Sequence, residues 1–291
     1  MKKLLFSGLT FLFASLCVPL TFAAEEIKLS GEEVFKQCGY KNRGNDQKSR
    51  FIVERRDNKG SIRRGEYLRF WKDFKGRDGV ADKMVLFQTY PPVAKGAAFM
   101  RTTYVPEFKQ GVDQWIYLPL LKKIRRVTIR NPGDSFLNTD LAYADVNPRE
   151  LNEDNHKYLG IREKNDLQFY LVESVPKEEK PLYSKRVYWF KKGQSWDDCV
   201  NVRVNYYDAN GAPLKDQIIK WQKVDGAWVW SRVLVKNLQT GTSSGFVLTN
   251  LTINSNIEDS LFTERSLIKG ATNLMQSGKD EKAAKKTIEQ K

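Results

Sequence analysis

Few side chains in this 291-residue chain have the type and spacing that covalent chemistry needs. The chain has one histidine, His156, so any Ser-His-Asp or Cys-His arrangement must use it. Its neighbours are Asp154, Asn155 and Lys157, and no Gly-x-Ser-x-Gly motif stands near it. That setting reads as a solvent-facing loop histidine. No histidine pair has zinc-ligand spacing, no glycine-rich loop could cradle a phosphate, and no EF-hand pattern occurs. Asp197-Asp198 is a carboxylate pair, but it falls in an expected turn, where Asp is common. A glycosidase needs two carboxylates across a bond, and no other feature supports hydrolysis. The expectation is a protein that is not an enzyme and needs neither cofactor nor metal.

The three cysteines divide by position. Cys17 lies in a secretory leader: Lys2 and Lys3 form its basic region, Leu4 to Leu20 its apolar stretch, and Thr21-Phe22-Ala23 its small-residue cleavage site. Cleavage is expected after Ala23, with Ala24 as the alternative. A retained anchor is the rival reading. Ser7, Gly8, Ser15 and Pro19 break the apolar run, which is short for a span. Leu16 before Cys17 argues against lipidation there. Cys38 and Cys199 remain after export, and an exported pair suggests a disulfide. Sequence does not place the two together. The expected compartment is a bacterial periplasm. The formal net charge of +14 would there meet anionic lipid headgroups or an acidic partner rather than nucleic acid. The plainer reading is that dispersed Lys and Arg keep a β protein soluble and blunt its sheet edges.

The elements that must position any site are mostly strands. Ser30-Gly-Glu-Glu33 is a capping box that opens a short helix, with Val34, Phe35 and Cys38 on one face and Gly39 at its end. Extended segments follow at 49–56, 61–72, 84–90, 97–105, 114–118 and 124–129. After the break they resume at 167–175, 185–191, 200–207, 214–224, 227–238 and 245–254. Asn131–Gly160 breaks the alternation and reads as a long excursion with a helical turn near Pro148–Glu153. Val200, Val202, Val204 and Tyr206 alternate with polar residues, the pattern of a half-buried strand. Ile257–Leu267 reads as a final helical turn. Successive antiparallel strands with short turns imply one mainly β domain, a half-open antiparallel barrel of about 11 strands wrapped on short helices. Its expected limits are 24–268, after a leader at 1–23 and before a polar, Lys-rich tail at 269–291.

One stretch adds a resemblance. Trp115-Ile-Tyr117-Leu118-Pro119-Leu-Leu121 runs into Lys122-Lys123-Ile-Arg125-Arg126. Ser135-Phe136, Thr139-Asp140, Tyr143 and Asp145 come next. Upstream stand Asp57-Asn-Lys-Gly60 with Arg63-Arg64, and Pro92-Val-Ala-Lys95-Gly96-Ala-Ala-Phe99. Downstream stands Asp259-Ser-Leu-Phe262-Thr-Glu-Arg265. The set resembles the LolA-like outer-membrane lipoprotein-sorting family over nearly all of the mature chain. Asn138 stands at the usual Gly position, and Asn is the residue that best tolerates a left-handed backbone after Gly. The resemblance implies a LolA/LolB-like fold closed by helices around an apolar pocket. It also implies carriage of lipids or lipoproteins, and an inner-membrane exporter of the RND type as a partner.

On that reading the candidate pocket or lid residues are Phe87, Trp115, Tyr117, Leu118, Arg125, Arg126, Phe136, Asp140, Val202, Val204 and Tyr206. The aromatics and aliphatics are also ordinary sheet-packing residues. Arg125 and Arg126 point to opposite faces of a strand. One of them pairs, on this reading, with Asp134, Asp140 or Asp145 to pin the excursion. Lys122, Lys123, Arg125 and Arg126 are also a candidate docking patch for an acidic transporter or lipid surface. The expected function is a monomeric periplasmic carrier of lipid or lipoprotein acyl chains. The alternatives are an envelope lipid sensor or soluble exporter adaptor, and, least supported, an envelope hydrolase.

Overall fold

The computed structural model describes residues 29–108, 111–127, 133–147 and 149–270. The expected leader with Cys17, and the expected tail beyond Gly270, lie outside the described residues.

Helix α1 (Gly31–Gly39) opens the described chain. Ser30 Oγ accepts from the Glu33 amide at 3.0 Å, the first arm of the expected capping box. The Glu33 carboxylate instead accepts from Gln37 Nε2, one turn on, at 2.7 Å. Six strands follow: β1 (Asp46–Arg56), β2 (Ile62–Asp73), β3 (Val80–Tyr90), β4 (Ala98–Tyr104), β5 (Val112–Leu118) and β6 (Lys123–Arg126). A crossing segment, described over 133–147 and 149–153, carries short 3₁₀ turns. Seven more strands complete the sheet: β7 (Asp154–Lys164), β8 (Leu167–Pro176), β9 (Lys185–Lys191), β10 (Val200–Tyr207), β11 (Pro213–Val224), β12 (Ala227–Asn237) and β13 (Ser243–Ile253). Helix α2 (Glu264–Lys269) ends the described chain. No described helix is long and apolar enough to cross a membrane.

All pairings are antiparallel, in the order β6-β5-β4-β3-β2-β1-β13-β12-β11-β10-β9-β8-β7. Two meanders therefore meet at the β1–β13 pair. The sheet curls without closing, and its edges are β6 and β7. Those edges are consecutive in the chain, so the crossing segment links the two sides of the open sheet. Both edges are blunted: β6 has four residues with exposed Lys123, Arg125 and Arg126, and β7 carries charges and a register shift at Gly160.

The fold is the mainly β, half-open architecture expected from the alternation, with two corrections. Among the described residues there are 13 strands, against about 11 expected. The excursion ends at Glu153 rather than Gly160, because Asp154–Lys164 is the edge strand β7. Only alternate residues of its first half are partly covered, and its second half is exposed, so polar residues hide the two-residue period.

Turn chemistry fixes the register. Asp57 Oδ1 accepts from the amides of Lys59 and Ser61, with Gly60 at φ 89°. Asp225 and Gly226 are both left-handed, the two-residue turn that suits strand twist. Asn138 takes φ 56°, the left-handed backbone expected where Asn replaces Gly.

The sheet packs on both faces. Outside β2–β5, Phe70, Val85, Phe87, Ala98, Met100 and Tyr117 form a sealed cluster under Phe262 and Leu267. On the concave side, α1 lays Val34, Phe35 and Cys38 on Tyr170, Val172 and Phe190. Cys38 and Cys199 form a disulfide there, tying α1 to the start of β10 across 161 residues of chain.

Candidate functional site

The concave face between the two meanders is not filled. A cavity of about 260 Å³ is walled by Phe51, Trp71, Met84 and Leu86 from β1–β3 and by Ile219, Trp230 and Phe246 from β11–β13. Phe136, Leu141 and Val146 of the crossing segment form its third wall. A second chamber, about 370 Å³, lies between α1, residues 144–149 and the inner side of β9–β11. The two share Arg43, Arg101, Asp145, Gln217 and Trp221, so they form one branched space.

Strand periodicity explains the lining. Inward positions on β1 and β2 are 47, 49, 51 and 67, 69, 71, registered as Gln47 opposite Trp71 and Phe51 opposite Tyr67. Met84 and Leu86 continue that face on β3, and Phe99 and Arg101 on β4. Besides its apolar walls the space therefore receives charge. Arg101 and Asp82 are both nearly fully buried and pair at 2.7 Å, and Arg101 also donates to the Val146 carbonyl. Arg69 is buried and donates from Nη1 to Gln47 Oε1 at 2.9 Å. Arg43 lies over the Trp71 ring, 5.1 Å from its centroid. Burial, with Arg101 and Arg43 beside it, pulls the Arg69 guanidinium down to about 9. Arg43 is lowered by burial too. The Arg43 residue is nonetheless exposed to solvent while lining the cavity.

The crossing segment is pinned by buried polar groups. The Asp145 carboxylate, with no exposure, accepts from Lys215 Nζ at 2.5 Å, from Tyr183 Oη at 3.0 Å and from the Ala142 amide at 2.7 Å. Lys215 also donates to the Asp140 carbonyl. The Asp140 carboxylate accepts from the hydroxyls of Ser244 on β13 and of Thr242 just before it. Burial, then the Asp145 charge, pushes the Tyr183 hydroxyl far above its ordinary range, so it stays a donor.

The residues singled out from sequence do not all come together. Phe136, Val204 and Tyr206 line the cavity, and Asp140 anchors the crossing segment. Phe87, Trp115 and Tyr117 lie on the other face of the sheet, under α2. Leu118 and Arg125 lie at the β5–β6 edge; Leu118 is half-buried and Arg125 exposed. Val202 falls at a bulge between Asn201 and Arg203, which brings Asn201 rather than Val202 inward with Val204 and Tyr206. The expected pairing of Arg125 or Arg126 with the excursion is corrected: Arg126 pairs with Asp113 on the neighbouring strand β5. The pin comes from Lys215, because β11 faces the segment and the β6 edge does not.

Sequence reading missed Arg43, Arg69, Arg101, Lys215 and Tyr183. Arg101 lies in Ala98–Thr103, a run buried at every position, and only the fold shows that this strand has no wet face and that the charge has a buried role. His156 also departs from a plain loop histidine. It is half-buried on β7, stacked on Phe35 at 4.3 Å, with Ser174 Oγ at 2.7 Å and the Leu151 carbonyl at 3.0 Å. Among the described residues, no group of three or more His, Cys, Asp or Glu side chains could hold a metal ion.

Comparison with known proteins agrees with this architecture. A family model described as "Uncharacterized protein" matches residues 80–269. A putative outer membrane lipoprotein-sorting protein domain from Vibrio parahaemolyticus superposes with a TM-score of 0.70 at 21% identity, covering 82% of this chain and 98% of that one. A DUF1329 family protein from Desulfovibrio piger gives 0.69 at 22% identity, covering 77% and 92%. A LolA superfamily protein from Nitrosomonas europaea gives 0.60 at 14% identity, covering 82% and 99%. No curated protein matches the chain. At these identities the structural likeness establishes the fold. The chain belongs to the family whose model spans residues 80–269, and its fold is that of the LolA-like lipoprotein-sorting proteins.

Proposed function

We propose that this protein is a periplasmic carrier that takes lipid or lipoprotein acyl chains into the concave cavity for transfer towards the outer membrane. The observation that carries the reading is an apolar space left open inside an otherwise packed sheet. Each methylene removed from water there contributes about 0.8 kcal/mol. A packed core has no such space, because interiors close to near-crystalline density.

The crossing segment is the lid. It joins the two free edges of the sheet and contributes one cavity wall. It is held by polar groups that can re-form after each opening. Ligand bound more tightly by one lid state shifts the population towards that state, which is all that loading and release require.

The partner reading is an inner-membrane lipid exporter of the RND type. Leu120 and Leu121 are exposed on the β5–β6 turn, beside exposed Lys122, Lys123 and Arg125. A basic rim around apolar side chains suits an acidic membrane partner. The test is uptake of a fluorescent fatty acid by the purified protein, followed by transfer to acceptor vesicles. Saturable uptake with transfer supports a carrier. Uptake without transfer supports a lipid sensor, and no uptake supports a soluble adaptor of the exporter.

A further inference from the structure

The carrier reading leaves the arginines of the cavity unexplained. An acyl-chain pocket gains nothing from buried guanidinium groups, which cost several kcal/mol each to desolvate. Arg cannot readily escape that cost by losing its proton. Two of them, Arg69 on β2 and Arg101 on β4, nevertheless meet at one end of the cavity, where the exposed Arg43, before β1, joins them. One buried carboxylate, Asp82, pairs with one of the three, Arg101.

The rest of their donor capacity is open. Arg101 Nε is buried without a hydrogen-bond partner. Arg69, 8% exposed, makes one side-chain hydrogen bond, to Gln47. The Arg43 guanidinium makes none among the described residues and rests on Trp71. Trp71, Met84 and Leu86 continue from the cluster as an apolar wall. An unsatisfied cationic end and a greasy body within one space describe the inverse of an amphiphilic anion.

Building on the carrier reading, we propose that the cavity binds an anionic amphiphile head-first, its carboxylate or phosphate received by Arg43, Arg69 and Arg101 and its apolar body lying along Trp71, Met84 and Leu86. Guanidinium forks match the planar, two-oxygen geometry of such heads. The anion supplies the charge that the cluster lacks, and the apolar wall supplies area-dependent affinity. The site therefore selects acidic lipids over neutral ones of equal length.

The test compares dodecanoate, dodecanol and inorganic phosphate, each titrated by calorimetry at pH 7.5 into delipidated full-length protein. The proposal expects dodecanoate to bind at least about tenfold more tightly than dodecanol, the scale of one charge-assisted hydrogen bond. It expects no measurable binding of phosphate alone at millimolar concentration. Arg69→Gln should erase the difference between the two amphiphiles while dodecanol binding persists, and retained dodecanol binding shows that the variant has folded. Equal affinity for dodecanoate and dodecanol in the unmodified protein overturns the anion site and leaves the carrier reading intact. Phosphate binding as tight as dodecanoate overturns the amphiphile and assigns a free-anion site. Failure of both amphiphiles overturns the carrier reading itself.

Discussion

The same four strands, β2–β5, build two unlike interiors. Their outer side is a closed apolar cluster, with Phe87 at 2% exposure and Leu267 at none. Their inner side carries Arg69, Asp82, Arg101 and Gln114 among aromatics, and it leaves space. One face is organised for stability, as close packing demands. The other keeps buried charged groups beside open space, which on the proposed function a ligand meets.

Substitutions on the two faces of β3 should sharpen this contrast first. Phe87→Ala should cost about 3–5 kcal/mol, because a sealed cluster cannot collapse around the loss. Met84→Ala, on the cavity side, should cost about 2 kcal/mol or less, since one flank of that side chain already lacks packing partners. Urea unfolding of the two variants checks both values; equal losses would mean that the inner face is as tightly packed as the outer.

The lid pin comes next. Asp145→Ala leaves Lys215 buried without its partner and should cost about 3–5 kcal/mol. Replacing both, with Asp145→Leu and Lys215→Met, should recover most of that loss while leaving the lid weakly specified. A double-mutant cycle by thermal unfolding measures the coupling, which is expected to be large. Removing the Cys38–Cys199 bridge with paired alanines should cost about 2–5 kcal/mol, given the long loop it closes. Proteolysis should then cut first near α1, at the far end of the concave face from the outer cluster.

Filling the cavity separates function from stability. Val233→Trp adds volume where the wall faces open space. It should change stability by about 1–3 kcal/mol or less and abolish fatty-acid uptake. The smallest expected effect is a pH dependence. Burial lowers the His156 pKa below its ordinary value, although the Leu151 carbonyl, Asp154 and Glu32 oppose the shift; Lys177 adds to it. The unfolded chain then takes up the proton first, so this contribution is intact above pH of about 6.5 and declines as pH falls through the folded value. Melting temperature should be lower at pH 5 than at pH 7.5, and His156→Gln should reduce that difference.

Much of the fold could be read from the chain. Alternation in β10 and the Asp-Gly turns placed most strands, and the excursion stood out by its lack of period. The edge strand β7 escaped, because an exposed edge has little apolar face to betray it. The site was legible in part. Phe136, Asp140, Val204 and Tyr206 were within reach of the family signature and the strand pattern. Phe87, Trp115 and Tyr117 looked equivalent, yet they face the outer cluster. Which side of a sheet is concave depends on curl and on what packs behind it, and a two-residue period carries neither. The arginine cluster joins residues 26 and 32 positions apart in sequence (43 to 69, then 69 to 101), a juxtaposition that only the β2–β3–β4 register creates.

The most direct test of the central claim is the composition of the protein as it leaves the cell. The full-length chain, purified from the periplasmic fraction without detergent, would be weighed intact by native mass spectrometry, then extracted with solvent. The account predicts a mass increment corresponding to about one amphiphile per chain in a cavity of this size, with the same lipid class in the extract. A protein that is empty and stays empty after incubation with envelope lipids would contradict it.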